Sequence, residues 1–324
     1  MTATDKISRT TERRAAAAGS SPARLARAAF LMGFPFCYST RVPDNPWMED
    51  LDPEEREPDR GRTHAQFLQL YRYLAAEALV YLLPTPRACG LQDLVFTGSL
   101  GAALEHLAER DVVVLSNFTA TPRRGETAIG RAFFGSLGYE VHVAPYRFEG
   151  DTELKHLHDN VYIGGHGTRS ERATYDWMER TFGMEIVKVA LTDPYLYHLD
   201  CTVFPVTRGD TLVCTEMYRE EEIRRIERRT NIIDVSADDC YSGICNSVRL
   251  SNTILNASSI HDLKAGGDEY AHERGKNQRL EEIASRFAFE VSYFNLSEFM
   301  KAGALLSCMV MHLNRFSYTF RPMN

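Results

Sequence analysis

The pattern of apolar and polar positions repeats along the middle of the chain. A short β-rich run is followed by a polar segment with helical periodicity and then by a second β-rich run. Units of this kind span 112–115, 121–138 and 139–143; 161–163, 169–183 and 185–189; 211–214, 220–230 and 232–235; and 253–256, 276–287 and 289–294. The first three units begin roughly fifty residues apart, a period typical of repeated supersecondary units that share one core.

A fifth, more divergent unit precedes these four. It begins with the apolar run Phe30-Leu31-Met32, continues through the longest helical pattern at 65–83, and ends with a predicted strand at 92–97. Repeats arranged around an axis would leave a central channel where loops from different units converge. The pattern therefore predicts an α/β fold with a site at that channel, and an ordinary α/β sheet without symmetry is the alternative.

The length of the chain allows one large domain or two small ones, and no linker able to separate two domains is evident in the sequence. With 324 residues, 44% of them hydrophobic and 25% charged, the chain resembles an ordinary globular enzyme and can bury a sizeable core. We predict a disordered tail over 1–27, which is rich in Ala, Arg, Ser and Thr, and a single domain over 28–324. The tail has no apolar signal core, and a transit peptide is the alternative. Two polar stretches, 50–62 and 262–274, are predicted to be exposed loops.

Net charge argues against some kinds of binding partner, and the cysteine content indicates the cellular compartment. The net charge of −7 and the pI near 5.8 argue against a nucleic-acid or acidic-membrane binder. No apolar run is long enough to span a bilayer. The seven cysteines are scattered and odd in number, which favours reduced thiols and a cytoplasmic location.

Three places in the sequence carry candidate chemistry. His198 and Asp200 would point to the same side of an extended chain. Cys308 comes just before the last predicted strand, 309–313, and the turn 149–153 holds three carboxylates. Taken singly, each has a structural interpretation: a core histidine, a buried small apolar side chain, and a solvated acidic turn.

Taken in order, these motifs resemble the pentein superfamily, which includes arginine deiminases, dimethylarginine hydrolases, arginine dihydrolases and amidinotransferases. The motifs that carry the resemblance are 93–97, 148–151, 167–170, 198–200 and Cys308. The segment Asn45-Pro46-Trp47-Met48 is most similar to the dihydrolase and dimethylarginine hydrolase members. The resemblance extends over about 30–314 and implies a five-bladed α/β propeller around a central active-site channel.

The resemblance also implies a role for each motif. Cys308 would be the nucleophile, His198 the general acid and base, and Glu149 a catalytic carboxylate near His198 that also holds the guanidinium group. The implied substrate-binding residues are Asp200 at the guanidinium, Arg169 at the carboxylate, Asp93 at the α-amino end, and also Ser99 and Asp151.

These roles agree with the chemistry of a guanidinium, which is a planar cation that resists attack by water. Two carboxylates can bind its N–H groups and fix its central carbon over a sulfur atom. A thiolate can attack that carbon while a histidine protonates the departing amine. The resulting thiouronium is then hydrolysed by activated water, so the reaction needs neither a metal nor a cofactor.

Two positions depart from the family pattern. The residue six positions after Asp93 is commonly a carboxylate or asparagine in the family, and here it is Ser99. A serine removes an anionic contact and makes room, which favours an N-substituted guanidine over unmodified arginine. The glycine-rich run before the cysteine is changed to Gly303-Ala304-Leu305-Leu306, which could reshape the pocket wall or weaken the enzyme.

The sequence thus predicts a cysteine-dependent hydrolase of a guanidino small molecule. Alternatives are an amidinotransferase that passes the amidino group to an amine, and a non-catalytic pentein that binds a partner. We expect no nucleic-acid or membrane partner, while a homo-oligomer is possible. Other features allow further interpretations: a metal site at His156, His158, Asp159 and His166, a solvated ion-paired helix or subunit contact at 220–229, and a disulfide between Cys240 and Cys245.

Overall fold

The computed structural model of the chain describes residues 22–85, 90–107 and 110–320. Most of the predicted tail, 1–21, lies outside the described residues. Its last part packs against the end of the chain, since Asn314 Nδ2 donates hydrogen bonds to the carbonyl oxygens of Pro22 and Arg27. No helix of the described residues is long and apolar enough to cross a membrane.

Strands and helices alternate along the described residues. The strands are β1 Ala29–Gly33, β2 Leu79–Leu83, β3 Gly101–Ala103, β4 Val112–Leu115, β5 Glu140–Val143, β6 Leu154–His158, β7 Val161–Gly167, β8 Glu185–Leu191, β9 Val203–Pro205, β10 Asp210–Val213, β11 Asn231–Asp234, β12 Val248–Leu250, β13 Thr253–Ala257, β14 Glu290–Phe294 and β15 Met311–His312. The α-helices are α1 Pro46–Glu49, α2 Pro53–Arg56, α3 Arg60–Glu77, α4 Glu126–Ser136, α5 Arg172–Phe182, α6 Glu220–Glu227, α7 Ala237–Tyr241, α8 Asp268–Ser285 and α9 Ser297–Met300.

The described residues form five three-stranded sheets with one common plan. The sheets are β15-β1-β2, β3-β4-β5, β6-β7-β8, β9-β10-β11 and β12-β13-β14. In each sheet the middle strand is antiparallel to one neighbour and parallel to the other. A helix connects each parallel pair, because parallel strands need a crossover connection. The predicted α/β class and its four strand–helix–strand units are confirmed.

The fifth unit differs from the prediction. Residues 92–97 form no strand, and the predicted helix 65–83 is instead α3 followed directly by β2, which pairs with β1. The apolar run Leu79-Val80-Tyr81-Leu82-Leu83 continues the helical pattern, so periodicity alone does not show the change at Ala78. The backbone of Ala78 is already extended, with φ −131° and ψ 167°. The two predicted loops, 50–62 and 262–274, are partly helical in the structure. Helix α2 and the start of α3 lie within the first, and α8 begins at Asp268 within the second.

The hydrophobic core connects neighbouring sheets. Five clusters of buried side chains occur within the described part of the chain, and four of them each contain residues of two consecutive sheets. The remaining cluster joins Phe30 and Met32 of β1 to Leu255 and Ala257 of β13. The last sheet in the sequence therefore packs against the first, and strand β15 pairs with β1 inside that first sheet.

Candidate active site

Short 3-10 turns bring the predicted site residues together. The turns Thr97–Ser99, Gly150–Thr152, Leu199–Cys201 and Ser307–Met309 each lie just before the first strand of a sheet in the common plan. They pack closely, since a Cβ on Gly98 would lie 2.4 Å from the carbonyl oxygen of Ser307. A Cβ on Gly150, which has φ +65°, would lie 2.7 Å from the carbonyl carbon of Ser99.

A small pocket lies among these turns. Its empty volume is about 360 Å³. The residues that line it are Asp44, Asn45, Asp93, Phe96, Ser99, Arg123, Arg169, Tyr197, His198, Ala302, Ala304 and Cys308. The structure thus brings together residues that lie more than two hundred positions apart in the sequence, and most of the predicted site residues are among them.

His198 and Glu149 form a buried pair at this pocket. His198 Nε2 lies 2.8 Å from Glu149 Oε2, and the Glu149 side chain is fully buried. The backbone N–H of Thr119 donates a hydrogen bond to Glu149 Oε1 at 3.1 Å. Burial alone would raise the pKa of Glu149, but the hydrogen bond to His198 and the charge of Arg169 outweigh it and hold that pKa at about 2. An ionised Glu149 can orient the imidazole and stabilise its protonated form.

Cys308 lies beside Asp200, at the partly exposed floor of the pocket. Its thiol can donate to Asp200 Oδ2 at 3.9 Å, and Asn246 Nδ2 donates to Cys308 Sγ at 3.5 Å. The hydroxyl of Ser307 donates to the same Asp200 oxygen at 2.5 Å. Burial and the negative charge of Asp200 raise the pKa of Cys308 to about 12. Cys308 is therefore a thiol at neutral pH.

Arg169 also lines the pocket. Its Nη2 donates to the backbone oxygen of Asp44 at 2.6 Å, and its Nη1 lies 3.8 Å from Glu149 Oε1. Its guanidinium carbon stacks 4.7 Å from the centre of the Tyr197 ring. These contacts hold a cation at the pocket wall, where it can meet a substrate carboxylate.

Asp93 and Ser99 line the pocket on the side of Arg123. Burial and the charge of Asp44 raise the pKa of Asp93 to about 8, so this carboxyl group can carry a proton near neutral pH. The Ser99 hydroxyl accepts a hydrogen bond from Arg123 Nη1 at 2.7 Å and donates to the backbone oxygen of Phe96 at 3.1 Å. Ser99 is thus in the pocket, but its hydroxyl already has partners in the protein.

Arg123 is the main pocket residue that the sequence analysis missed. It is buried, it stacks over the Phe118 ring, and it binds Glu126 through two hydrogen bonds of 2.9 and 2.8 Å. An arginine three positions before a glutamate usually marks an exposed ion pair, so the pattern does not indicate that Arg123 is buried. Asn246 and Tyr197 were also missed, although Tyr197 directly precedes His198.

Asp151 does not line the pocket, and the substrate-binding role implied for it stays a prediction. Its Oδ2 lies 2.8 Å from His312 Nδ1, and its Oδ1 accepts a hydrogen bond from Arg315 Nη2 at 2.5 Å. Burial would raise the pKa of Asp151, but Arg315 and His312 outweigh it and lower that pKa well below its usual range. Both carboxylate oxygens are therefore used in a buried ion-pair network that stabilises the fold.

We expect Asp151→Asn to reduce stability and to leave KM within about threefold of the wild-type value. Breaking a buried pair from one side costs about 3 kcal/mol or more of unfolding free energy at neutral pH. The contribution is complete above the ordinary carboxyl pKa of about 3.9 and is lost at lower pH, so the two proteins should converge in acid. Chemical denaturation at several pH values measures this.

A matched control for Asp151 is Asp159→Asn. The Asp159 side chain is 85% exposed, and asparagine tolerates its positive φ of 44°. This variant should unfold like the wild type. A large rise in KM for Asp151→Asn without loss of stability would instead favour a role in substrate binding.

The other candidate features have structural partners. His156 is stacked on Tyr162, His158 contacts Asp159, and the described residues contain no group of three or more His, Cys, Asp or Glu side chains that could hold a metal ion. The sulfur atoms of Cys240 and Cys245 are 3.9 Å apart and unbonded. Helix α6 carries the expected i,i+4 ion pairs, such as Arg225 with Glu221.

Comparisons with known proteins show the family of the chain. The sequence profile of the family described as "N,N dimethylarginine dimethylhydrolase, eukaryotic" matches residues 36–315. The bifunctional arginine dihydrolase/ornithine cyclodeaminase AgrE of Nostoc sp. is 29% identical over 293 residues. That match covers 89% of this chain but only 38% of AgrE, so the chain spans less than half the length of that relative.

Two further relatives match. The N(G),N(G)-dimethylarginine dimethylaminohydrolase of Mycobacterium tuberculosis is 29% identical over 189 residues, which cover 57% of this chain and 59% of that protein. The solved N-terminal domain of ArgZ, a cyanobacterial arginine dihydrolase bound to its product, superposes with a TM-score of 0.75 at 26% identity. That superposition covers 89% of this chain and 97% of the domain.

The family profile spans well over half of the chain, and the relatives named for guanidino chemistry match along most of the same region. The resemblance carried by the motifs is thereby confirmed. The protein belongs to the N,N-dimethylarginine dimethylhydrolase family, within the pentein superfamily of enzymes that modify guanidino groups.

Proposed function

We propose that this protein is a cysteine-dependent hydrolase that cleaves a C–N bond of arginine or of an N-substituted arginine derivative through a thiouronium on Cys308. The observation that carries the proposal is that two carboxylates each contact one of the two proposed catalytic side chains at the pocket. Glu149 is paired with His198, and Asp200 contacts Cys308 Sγ. The names of the relatives support the substrate class, since they include arginine dihydrolases and a dimethylarginine hydrolase.

Substrate binding follows from the charges of the pocket. The guanidinium is a cation whose N–H groups can bind to Glu149 and Asp200, which fixes its central carbon above Cys308 Sγ. Arg169 at the pocket wall binds the substrate carboxylate. Asp93, which can be ionised or protonated near neutral pH, contacts the α-amino end.

During formation of the intermediate, His198 carries one proton from Cys308 to the leaving amine. The Cys308 thiol loses its proton to His198 as the bound cation stabilises the thiolate, and a bond forms between sulfur and the central carbon. The C–N bond to the leaving amine then breaks, and His198 returns the proton to that amine. The product of this half-reaction is a thiouronium cation on Cys308 and a free amine.

Hydrolysis reverses the role of His198. The histidine takes a proton from water as the water oxygen attacks the thiouronium carbon, and the C–S bond then breaks. The products are a ureido compound, the regenerated Cys308 thiol and a released proton. An amidinotransferase would share the first half-reaction but pass the amidino group to an amine.

A product assay tests the proposed hydrolysis and distinguishes it from transfer of the amidino group to an amine. The protein is mixed with arginine or N-methylarginine, with and without an excess of a primary amine, and the ureido product and any new guanidine are quantified. The proposal predicts the ureido product in both cases. Formation of a new guanidine at the expense of the ureido product would identify an amidinotransferase, and no consumption of either donor would contradict the proposed substrates.

Ser99→Asp is expected to raise kcat/KM for arginine relative to N-methylarginine by several-fold. The new carboxylate would add an anionic contact for an unsubstituted N–H group and fill space that a substituent needs. Ser99→Asn is the matched control, because asparagine fills similar space without charge. An unchanged ratio in Ser99→Asp would mean that Ser99 does not face the guanidinium of the substrate.

We also propose that the five sheets are the blades of a closed propeller. The packing of the last sheet against the first supports it, as does the pairing of β15 with β1. The core clusters between consecutive sheets and the convergent turns at the pocket fit the same arrangement. A cytoplasmic location and assembly into a homo-oligomer remain proposals from the sequence.

A further inference from the structure

The side chain of Glu153 is a buried acid that the proposed mechanism does not use. It follows the turn Gly150–Thr152, at the start of β6, and is fully buried without lining the pocket. Its Oε2 accepts a hydrogen bond from the backbone N–H of Leu199 at 3.2 Å. Its Oε1 is buried without a hydrogen-bond partner in the part of the chain that the structure describes.

The charged groups that face Glu153 are negative. Glu149 and Asp200 both act on it as like charges and raise its pKa. The Tyr175 hydroxyl, which is also titratable, donates to the backbone oxygens of Glu153 and Gly165 rather than to the carboxyl group. Because an unpaired carboxylate is costly in such surroundings, burial and the charge of Glu149 raise the pKa of Glu153 well above its usual range.

Glu153 connects the two turns that carry the catalytic pairs. Leu199, which it holds by the backbone, lies between His198 and Asp200 in the sequence. On the other side, the Ser170 hydroxyl accepts a hydrogen bond from the backbone N–H of Glu149 at 3.2 Å. The same hydroxyl lies near the Glu153 carboxyl group and partly offsets the rise in its pKa. One carboxyl group is thus placed to fix the position of both turns.

We propose that Glu153 is a neutral carboxylic acid that acts as a positioning residue for His198, Asp200 and Glu149. A neutral acid can accept a hydrogen bond with one oxygen and donate with the other, so it can hold two turns without adding a third negative charge. A third charge would oppose formation of the Cys308 thiolate further. The inference rests on the proposed function, because the turns are catalytic only if that function is correct.

Two variants of the full-length protein test the proposal. Glu153→Gln keeps a carbonyl acceptor and an N–H donor without an ionisable group, whereas Glu153→Met has a similar length and no strong acceptor. We expect Glu153→Gln to keep kcat within about threefold of the wild type, with an unchanged pH profile. Glu153→Met should remain folded but lose about ten- to a hundredfold in kcat, as loss of positioning contacts typically does.

Either of two outcomes overturns the inference. If Glu153→Gln is as impaired as Glu153→Met, or shifts the pH profile, an ionised carboxylate is required. If Glu153→Met keeps kcat within about threefold, Glu153 only fills space.

An infrared measurement tests the protonation state without depending on activity or on the fold of Glu153→Met. The wild type at neutral pH should show the C=O stretch of a protonated carboxylic acid, sensitive to D₂O, which is lost in Glu153→Gln. Absence of that difference contradicts the inference. A wild-type protein that consumes no guanidine contradicts the proposed function instead, and the infrared result still decides the protonation state.

Discussion

Cys308→Ser is expected to lower kcat for guanidine hydrolysis by on the order of a thousandfold or more, while the protein stays folded. The cause is the nucleophile itself, since a serine hydroxyl at this position has no accessible anion even when the substrate cation is bound. Because the pKa of Cys308 is raised to about 12, formation of the thiolate requires stabilisation by the substrate cation. Steady-state kinetics and a denaturation curve on the purified variant measure both parts of the expectation.

The matched control for this substitution is Cys201→Ser. Cys201 is also partly exposed, and its sulfur lies 3.8 Å from the other oxygen of Asp200. It should keep most of the activity, because its sulfur does not line the pocket of Cys308. Thiol alkylation should inactivate the wild type and Cys201→Ser alike, and substrate should protect both. More than a trace of activity in Cys308→Ser would show that another group is the nucleophile.

His198→Ala is expected to lower kcat by on the order of a hundred- to ten-thousandfold and to change which step is slow. Without His198, the Cys308 thiol and the attacking water lose their base, and the leaving amine loses its proton donor. If amine departure survives better than hydrolysis, the thiouronium accumulates on Cys308. Rapid-quench measurement of amine release and of ureido product would show a burst of amine without matching product.

The control for the His198 variant is His142→Ala. The His142 ring is partly exposed and pairs with Glu140 on β5, away from the pocket residues. Its removal should leave both half-reactions unchanged. A His198→Ala protein within a few-fold of the wild type would exclude His198 as the acid and base.

The sequence predicted the repeated units well because their strands and helices have distinct periods. Strand β4 and helix α4, for example, form at positions where the pattern changes from β-rich to helical. The short first strands of the sheets were harder to predict. Strand β3 contains only Gly101, Ala102 and Ala103, which have no strong β propensity, and it forms by pairing with β4.

The sequence pattern also does not show which side chains of the candidate site face the pocket. Glu149 and Asp151 lie in one turn, yet Glu149 pairs with His198 and Asp151 pairs with His312 and Arg315. The positive φ of Gly150, between them, changes the direction of the chain, and periodicity does not reveal which acid faces the pocket. Arg123 was missed for a similar reason, because its burial depends on the distant turn that contains Ser99.

The central claim is that a guanidino substrate becomes covalently attached to Cys308. Intact-mass analysis of His198→Ala after mixing with arginine or N-methylarginine, followed by peptide mapping, tests it most directly. The account predicts an adduct with the mass of the substrate minus the leaving amine on the peptide that contains Cys308, and no adduct in the double variant His198→Ala with Cys308→Ser. An adduct on another cysteine, or product formed by the wild type with no adduct at any time point in either protein, would contradict it.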